Sequence, residues 1–216
     1  MRIVIDLQGA QAGHAQRGIG RYSLSLAQAM ARSALPRGHQ IIVALNGAFA
    51  DTLAPLRQAF DGLLPMDNIR VWQPPQGIAT NGPAGPAERI REAFLASLSP
   101  DMVHLASMFE GPGNAAVTSC GVFAPLPTAV TVFDLIPLVR QTPYLDNPAV
   151  RAHYLYKVEQ LRRADLWLAI SEATRQEALR ELGLPPERCT SISSAVDAHF
   201  QVRPVDAMQE LSLIHI

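Results

Sequence analysis

The segment Arg17-Gly18-Ile19-Gly20-Arg21-Tyr22 stands where a helical pattern begins, and its residue types suit an anion. Glycines let a backbone approach a ligand closely, and the free amides of a helix N-terminus attract phosphate. Gly18, Gly20 and Arg21 are therefore candidates for binding an anionic ligand such as a phosphate. The same residues would equally serve an ordinary loop that needs positive φ angles. A dinucleotide fingerprint is excluded on spacing, because the stretch 8–17 separates strand from first glycine where that motif needs a tight turn. The second strand also closes in Leu45-Asn46-Gly47, without an acidic residue to hold a ribose.

Three further places could carry chemistry. Asp134, in Phe133-Asp134-Leu135-Ile136-Pro137, follows a strand and precedes a rigid proline. Its carboxylate could orient a sugar hydroxyl or could cap the next turn. His104 lies within the apolar run Met102-Val103-His104-Leu105, where it is either a core residue with one satisfied partner or a catalytic group. Ser171-Glu172 opens a helix, and capping explains both residues, although their position is on the ligand side of a sheet. Catalytic roles are thus open for Asp134 and His104, and binding roles for Ser171 and Glu172. No histidine or cysteine spacing matches a metal site, and no nucleophile–base pair can be argued.

These residues need a scaffold that brings separate loops together. Short β-rich runs at 2–7, 40–45, 68–72, 101–105, 128–133, 166–170 and 188–192 alternate with helical patterns at 20–32, 51–60, 88–98, 148–163 and 172–182. That alternation predicts an α/β, Rossmann-type parallel sheet with helices on both faces. Ligands of such sheets sit beyond the carboxyl ends of the strands. On the helix at 148–163, Arg151, Lys157, Arg162 and Arg163 are expected to form a solvated face with Glu159 and Asp165.

Composition narrows the class. The 216 residues are 48% hydrophobic and 17% charged, which provides a core and little material for disorder. A net charge of -1 carries no footprint for nucleic acid. Cys120 and Cys189 are too few and too far apart for a disulfide framework and fit a reducing compartment. No signal region and no span of membrane length is apparent, so the expected location is cytoplasmic, with peripheral contact at the inner face of a membrane left open.

Four segments in order resemble the N-terminal domain of family-4 retaining glycosyltransferases, bacterial mannosyltransferases in particular. They are 1–9, the Arg17–Tyr22 loop, 131–137 and Ala169-Ile170-Ser171-Glu172. Ser193-Ser194-Ala195-Val196-Asp197 with Phe200 is similar to the family's interdomain hinge. The resemblance implies one half of a GT-B fold: an acceptor-side domain over 1–195, a hinge over 196–210 and a donor-side domain that is missing. It implies transfer of a sugar, mannose from GDP-mannose, to a polysaccharide or lipid-linked acceptor with retention and without a metal or other cofactor. The chain by itself is expected to be inactive. Phe133 departs from the family, where histidine commonly precedes the aspartate. A phenyl ring cannot accept a hydrogen bond from a sugar hydroxyl. The end, Leu211-Ser212-Leu213-Ile214-His215-Ile216, reads as the translation of a transposon end used in sequencing libraries, hence as a non-native tail; a short native strand is the alternative. A stand-alone sugar- or nucleotide-binding module is the competing function, and the hinge-like segment argues against it.

Overall fold

The computed structural model describes residues 1–13, 15, 17–75, 85–110 and 114–195. The expected hinge and tail at 196–216 lie outside the described residues. Seven strands, β1 (Arg2–Asp6), β2 (Gln40–Asn46), β3 (Ile69–Trp72), β4 (Met102–Leu105), β5 (Thr128–Val132), β6 (Leu166–Ala169) and β7 (Cys189–Ser191), form one sheet. Every pairing is parallel and the order is β3-β2-β1-β4-β5-β6-β7. The order turns back between β1 and β4, and that switch point is where a doubly wound sheet opens a ligand crevice.

Helices α1 (Gly18–Ala34), α2 (Ala50–Ala59), α3 (Pro86–Ser97), α6 (Pro148–Arg162) and α7 (Glu172–Leu182) carry the crossovers. Two single-turn helices, α4 (Ile136–Val139) and α5 (Gln141–Tyr144), follow β5. Alternate residues of each strand point to opposite faces. Ile5 of β1 packs with Ala27 and Ala31 of α1 and Leu56 of α2, whereas its neighbour Val4 packs with Leu95 of α3. Leu105, Val130 and Trp167 lie under Val158 and Leu161 of α6 and Ala178 of α7. The sheet is therefore covered on both faces, which is why its strands read as near-continuous apolar runs.

The sequence periods place most elements to within a residue or two. The first helix begins at Gly18 rather than 20, because its leading glycines take helical angles. They do not have positive φ, which among the described glycines is confined to Gly38, Gly62, Gly121 and Gly183. The positive-φ reading of Gly18 and Gly20 is thus corrected. A second correction concerns Lys157. It is not on a solvated face: it is 3% exposed and paired with Glu88 at 3.2 Å. Among the described residues, no helix is long and apolar enough to cross a membrane.

Candidate functional site at the carboxyl edge

β1 delivers the chain into a single 3-10 turn, Gln8–Ala10, and then to α1. Arg17 is the N-cap in extended conformation; among the described residues no side chain caps the helix, and its first turn holds no acidic residue. The first intrahelical bond runs from the Arg21 amide to the Arg17 carbonyl at 2.9 Å. The partial positive charge of this N-terminus is therefore not offset by a capping oxygen or a carboxylate of its own first turn. Gly20 is buried, and a Cβ there would overlap the backbone of Ala15; Gly18 has open space. Arg21 is exposed on the same turn.

One turn along, the Tyr22 ring meets Phe133 edge to face, with centroids 5.3 Å apart. The Tyr22 hydroxyl donates to the Ser193 carbonyl at 3.1 Å. This contact brings the start of α1 beside the end of β5. Asp134, next to Phe133, is exposed, and its Oδ1 accepts the Ile136 amide at 3.1 Å. Ser171 caps α7 by accepting the Thr174 amide at 3.1 Å, and the Thr174 hydroxyl donates to the Phe133 carbonyl at 3.1 Å. Glu177 accepts the Leu135 amide at 3.0 Å, so the first turns of α7 hold the loop that bears Asp134. Glu172 contacts its own helix, Gln176 at 2.6 Å and Arg175 at 3.1 Å. The Gln176 and Arg175 bonds hold its carboxyl below the ordinary range. The Arg21–Tyr22, Phe133–Asp134 and Ser171–Glu172 segments thus meet along one edge. The aromatic pair explains how Phe133 is used: as a packing surface for Tyr22.

His104 is elsewhere. It is 2% exposed within β4, and its Nε2 shares a 2.8 Å hydrogen bond with the Thr131 hydroxyl on β5. Its Nδ1 is buried without a partner, and burial pushes its pKa down to about 4. The imidazole is neutral at pH 7. A folded-state pKa below the unfolded value means that the unfolded chain binds the extra proton first. Stability is then fully present above about pH 6.5 and is lost as pH falls toward 4. We expect about 2 kcal/mol of this loss between pH 7 and pH 5. His104→Gln should flatten that slope, so wild type should lose about 4–8 °C more melting temperature than the variant over the same interval. Parallel slopes would show that His104 is not the responsible group.

The sequence reading missed a polar floor beneath this edge. Arg91 of α3 donates through Nε and Nη2 to Asp6 Oδ2 at 2.5 Å, with both side chains 1% exposed. Gln8 Nε2 donates to the same carboxylate at 3.0–3.1 Å. Asn46 Nδ2 donates to Gln8 Oε1 at 2.9 Å, and Gln11 Oε1 accepts the Asn46 amide at 2.8 Å. The groups come from β1, the turn after it, the end of β2, and α3. One signal was present in the sequence: Glu88, Arg91, Glu92 and Leu95 share the i, i+3, i+4, i+7 spacing of one helix face. All four are buried. Among the described residues no cluster of three or more His, Cys, Asp or Glu side chains could hold a metal ion.

Residues 16–200 match the model of Glycosyltransferase Family 4. The chain belongs to that family. Its relatives include the serotype-specific mannosyltransferase WbdA of Escherichia coli, 30% identical over 220 residues, covering 99% of this chain and 26% of WbdA. A second WbdA of Escherichia coli is 29% identical over 76% of this chain and 21% of its own length. The chain therefore spans about a quarter of the curated relatives it matches. In fold, it is similar to HepE of Anabaena in complex with UDP, with a TM-score of 0.51 at 16% identity, over 98% of this chain and 50% of HepE. The complex of HepE with UDP-glucose gives the same TM-score of 0.51 at 17% identity, over 98% of this chain and 49% of HepE. The family-4 chain thus has a Rossmann-type fold that aligns with about half of HepE.

Proposed function

We propose that this chain is the acceptor-side unit of a retaining mannosyltransferase that takes mannose from GDP-mannose and adds it to a polysaccharide or lipid-linked acceptor. The observation that carries the reading is the relationship to WbdA across 99% of the chain. Geometry supports the division of labour. The uncapped start of α1, with Gly18, Gly20 and Arg21, faces the edge where a leaving diphosphate would develop charge, and amides there stabilise an anion without reorganising. Asp134, exposed on the same edge, is the candidate for a sugar hydroxyl; Ser171 and Glu172 border it. His104 is neutral and inside the sheet, with Nε2 bonded to Thr131 and Nδ1 buried without a partner, so a catalytic part for it would have to run through Nδ1. Work at the inner face of a membrane fits a lipid-linked acceptor.

The 216 residues supply one wall of such a cleft, and one wall neither opposes a diphosphate's full charge nor excludes water. The chain alone is expected to transfer no labelled mannose from GDP-mannose, whereas a polypeptide that joins it to a donor-side domain is expected to transfer it. Enzyme-dependent transfer by the 216-residue chain overturns the division. In the longer polypeptide, Asp134→Asn keeps the acceptor for the Ile136 amide, so melting should hold while activity falls about tenfold to a hundredfold. Unchanged activity would confine Asp134 to its turn.

A further inference from the structure

Parallel strands are joined by crossovers that are usually helical, and a helix satisfies its own backbone. The connection from β4 to β5, residues 106–127, contains no helix among the described residues. Its backbone is nonetheless buried over much of 115–120, so each amide and carbonyl there needs a partner. Asn114 of the crossover itself accepts the Ala116 amide at 2.8 Å, and side chains of other elements bond six more of these groups. Asn46 Nδ2 donates to the Ala115 carbonyl at 2.9 Å. Gln8 makes a strand-like pair with Val117, donating to its carbonyl at 2.7 Å and accepting its amide at 2.9 Å. Lys157 donates to the Thr118 carbonyl, and Arg91 to that of Ser119 at 3.1 Å. Gln160 accepts the Cys120 amide at 3.1 Å. Glu92, 2% exposed, accepts three amides in succession: Val122 at 3.1 Å, Phe123 at 2.5 Å and Ala124 at 3.3 Å.

Both cations have an acidic partner as well, Asp6 for Arg91 and Glu88 for Lys157. Buried ion pairs add little stability over apolar residues of the same volume. Apolar residues would, however, leave the carbonyls of Thr118 and Ser119 unsatisfied. We propose that Gln8, Asn46, Arg91, Glu92, Lys157 and Gln160 are positioning residues that hold residues 115–124 of this crossover in one shape, so that the stretch lying over the ends of β1 and β2 forms a fixed wall of the substrate cleft before any ligand arrives. The purpose assigned to the wall rests on the function proposed above; the rigidity does not. A wall fixed in advance spares binding energy that would otherwise be spent on ordering a loop.

Amide hydrogen exchange on the 216-residue chain tests this without donor, acceptor or turnover, so its outcome is independent of the transferase reading. In wild type, the amides of Val117, Cys120, Val122 and Phe123 should exchange as slowly as those of β1 and β5, through global opening. Exchange at exposed-loop rates overturns the proposal before any variant is made. Gln8→Met removes both Val117 bonds together with those to Asp6 and Asn46, so it should accelerate Val117 about tenfold or more beyond the shift that the β5 amides show. Glu92→Gln retains one accepting oxygen and loses the other, so it should accelerate 122–124 and leave Val117 unchanged. Uniform acceleration across sheet and crossover would make these side chains general contributors to folding and overturn the assignment, as would no acceleration at all.

Discussion

Arg91→Met should lower folding stability by about 3–5 kcal/mol, because it leaves the Asp6 carboxylate buried without its cation. Methionine fills much of the arginine stem's volume, so cavity formation is a minor contribution. What remains is a carboxylate 1% exposed whose donors reduce to the Gln8 side chain and amide. The Ser119 carbonyl and hydroxyl also lose the guanidinium, at 3.1 and 3.3 Å. For a chain of this length the melting temperature should fall by about 10 °C or more. The double variant Asp6→Leu/Arg91→Met removes the stranded charge and should recover a large part of the loss. It should not recover all of it, because Gln8 loses its Asp6 acceptor and the Ser119 carbonyl loses its Arg91 donor. A single variant that melts with wild type would show that water or another donor replaces Arg91. A double variant as unstable as the single would show that packing rather than charge sets the cost.

Gly20→Val should cost about 3 kcal/mol, and Gly20→Ala about 1–3 kcal/mol, since any Cβ at this site meets the Ala15 backbone, which cannot rotate away as a side chain can. Alanine recovers up to about 1 kcal/mol through helix propensity, and valine recovers less because of its branched Cβ. Gly18→Ala has nothing within 4 Å and lies at the first helical position, so it should be neutral or slightly stabilising. The contrast is the measurement: thermal melting of the two alanine variants side by side. Equal behaviour would mean that Ala15 moves at no cost, and the close approach would then explain nothing about Gly20. In the joined polypeptide, Gly20→Ala also shifts the loop ahead of α1, so loss of activity there tracks loss of stability. Gly18→Ala separates them, and a fall in activity at unchanged melting would place Gly18 against the donor.

Much of the fold was legible in the periods of the chain. Runs such as Ile3-Val4-Ile5 and Ile41-Ile42-Val43 could only be strands covered on both faces, and the segments between them had the spacing of helices. Ser171 and Gly183 marked the ends of α7 because capping is a local matter: the Ser171 hydroxyl reaches the Thr174 amide three residues on, and Gly183 takes φ 64 at the C-cap. Asp134 was found for the same reason, as a carboxylate within two residues of the amide it accepts. Its placement at the end of β5 followed from the strand alone.

The polar floor was not legible, and the reason is physical. Arg91, Glu92, Glu88 and Lys157 look like surface residues because an isolated charge favours water; only partners far along the chain make burial tolerable. Asp6 and Arg91 are 85 residues apart, Glu88 and Lys157 69 apart, and Gln8 and Val117 109 apart. No local window contains both members of such a pair. The same holds for the sign of the Gly20 constraint: the sequence showed that a glycine was needed, but helical φ and the nearness of Ala15 decided why. The sequence by itself determined what its local periods and caps could encode, namely the parallel α/β architecture, the helix ends and the edge on which Gly18, Asp134 and Ser171 stand. The tertiary structure decided which charges are buried, with what partners, and that residues 115–124 of the β4–β5 crossover are bonded by side chains from the turn after β1, β2, α3 and α6, because those interactions exist only after the sheet has brought distant residues together.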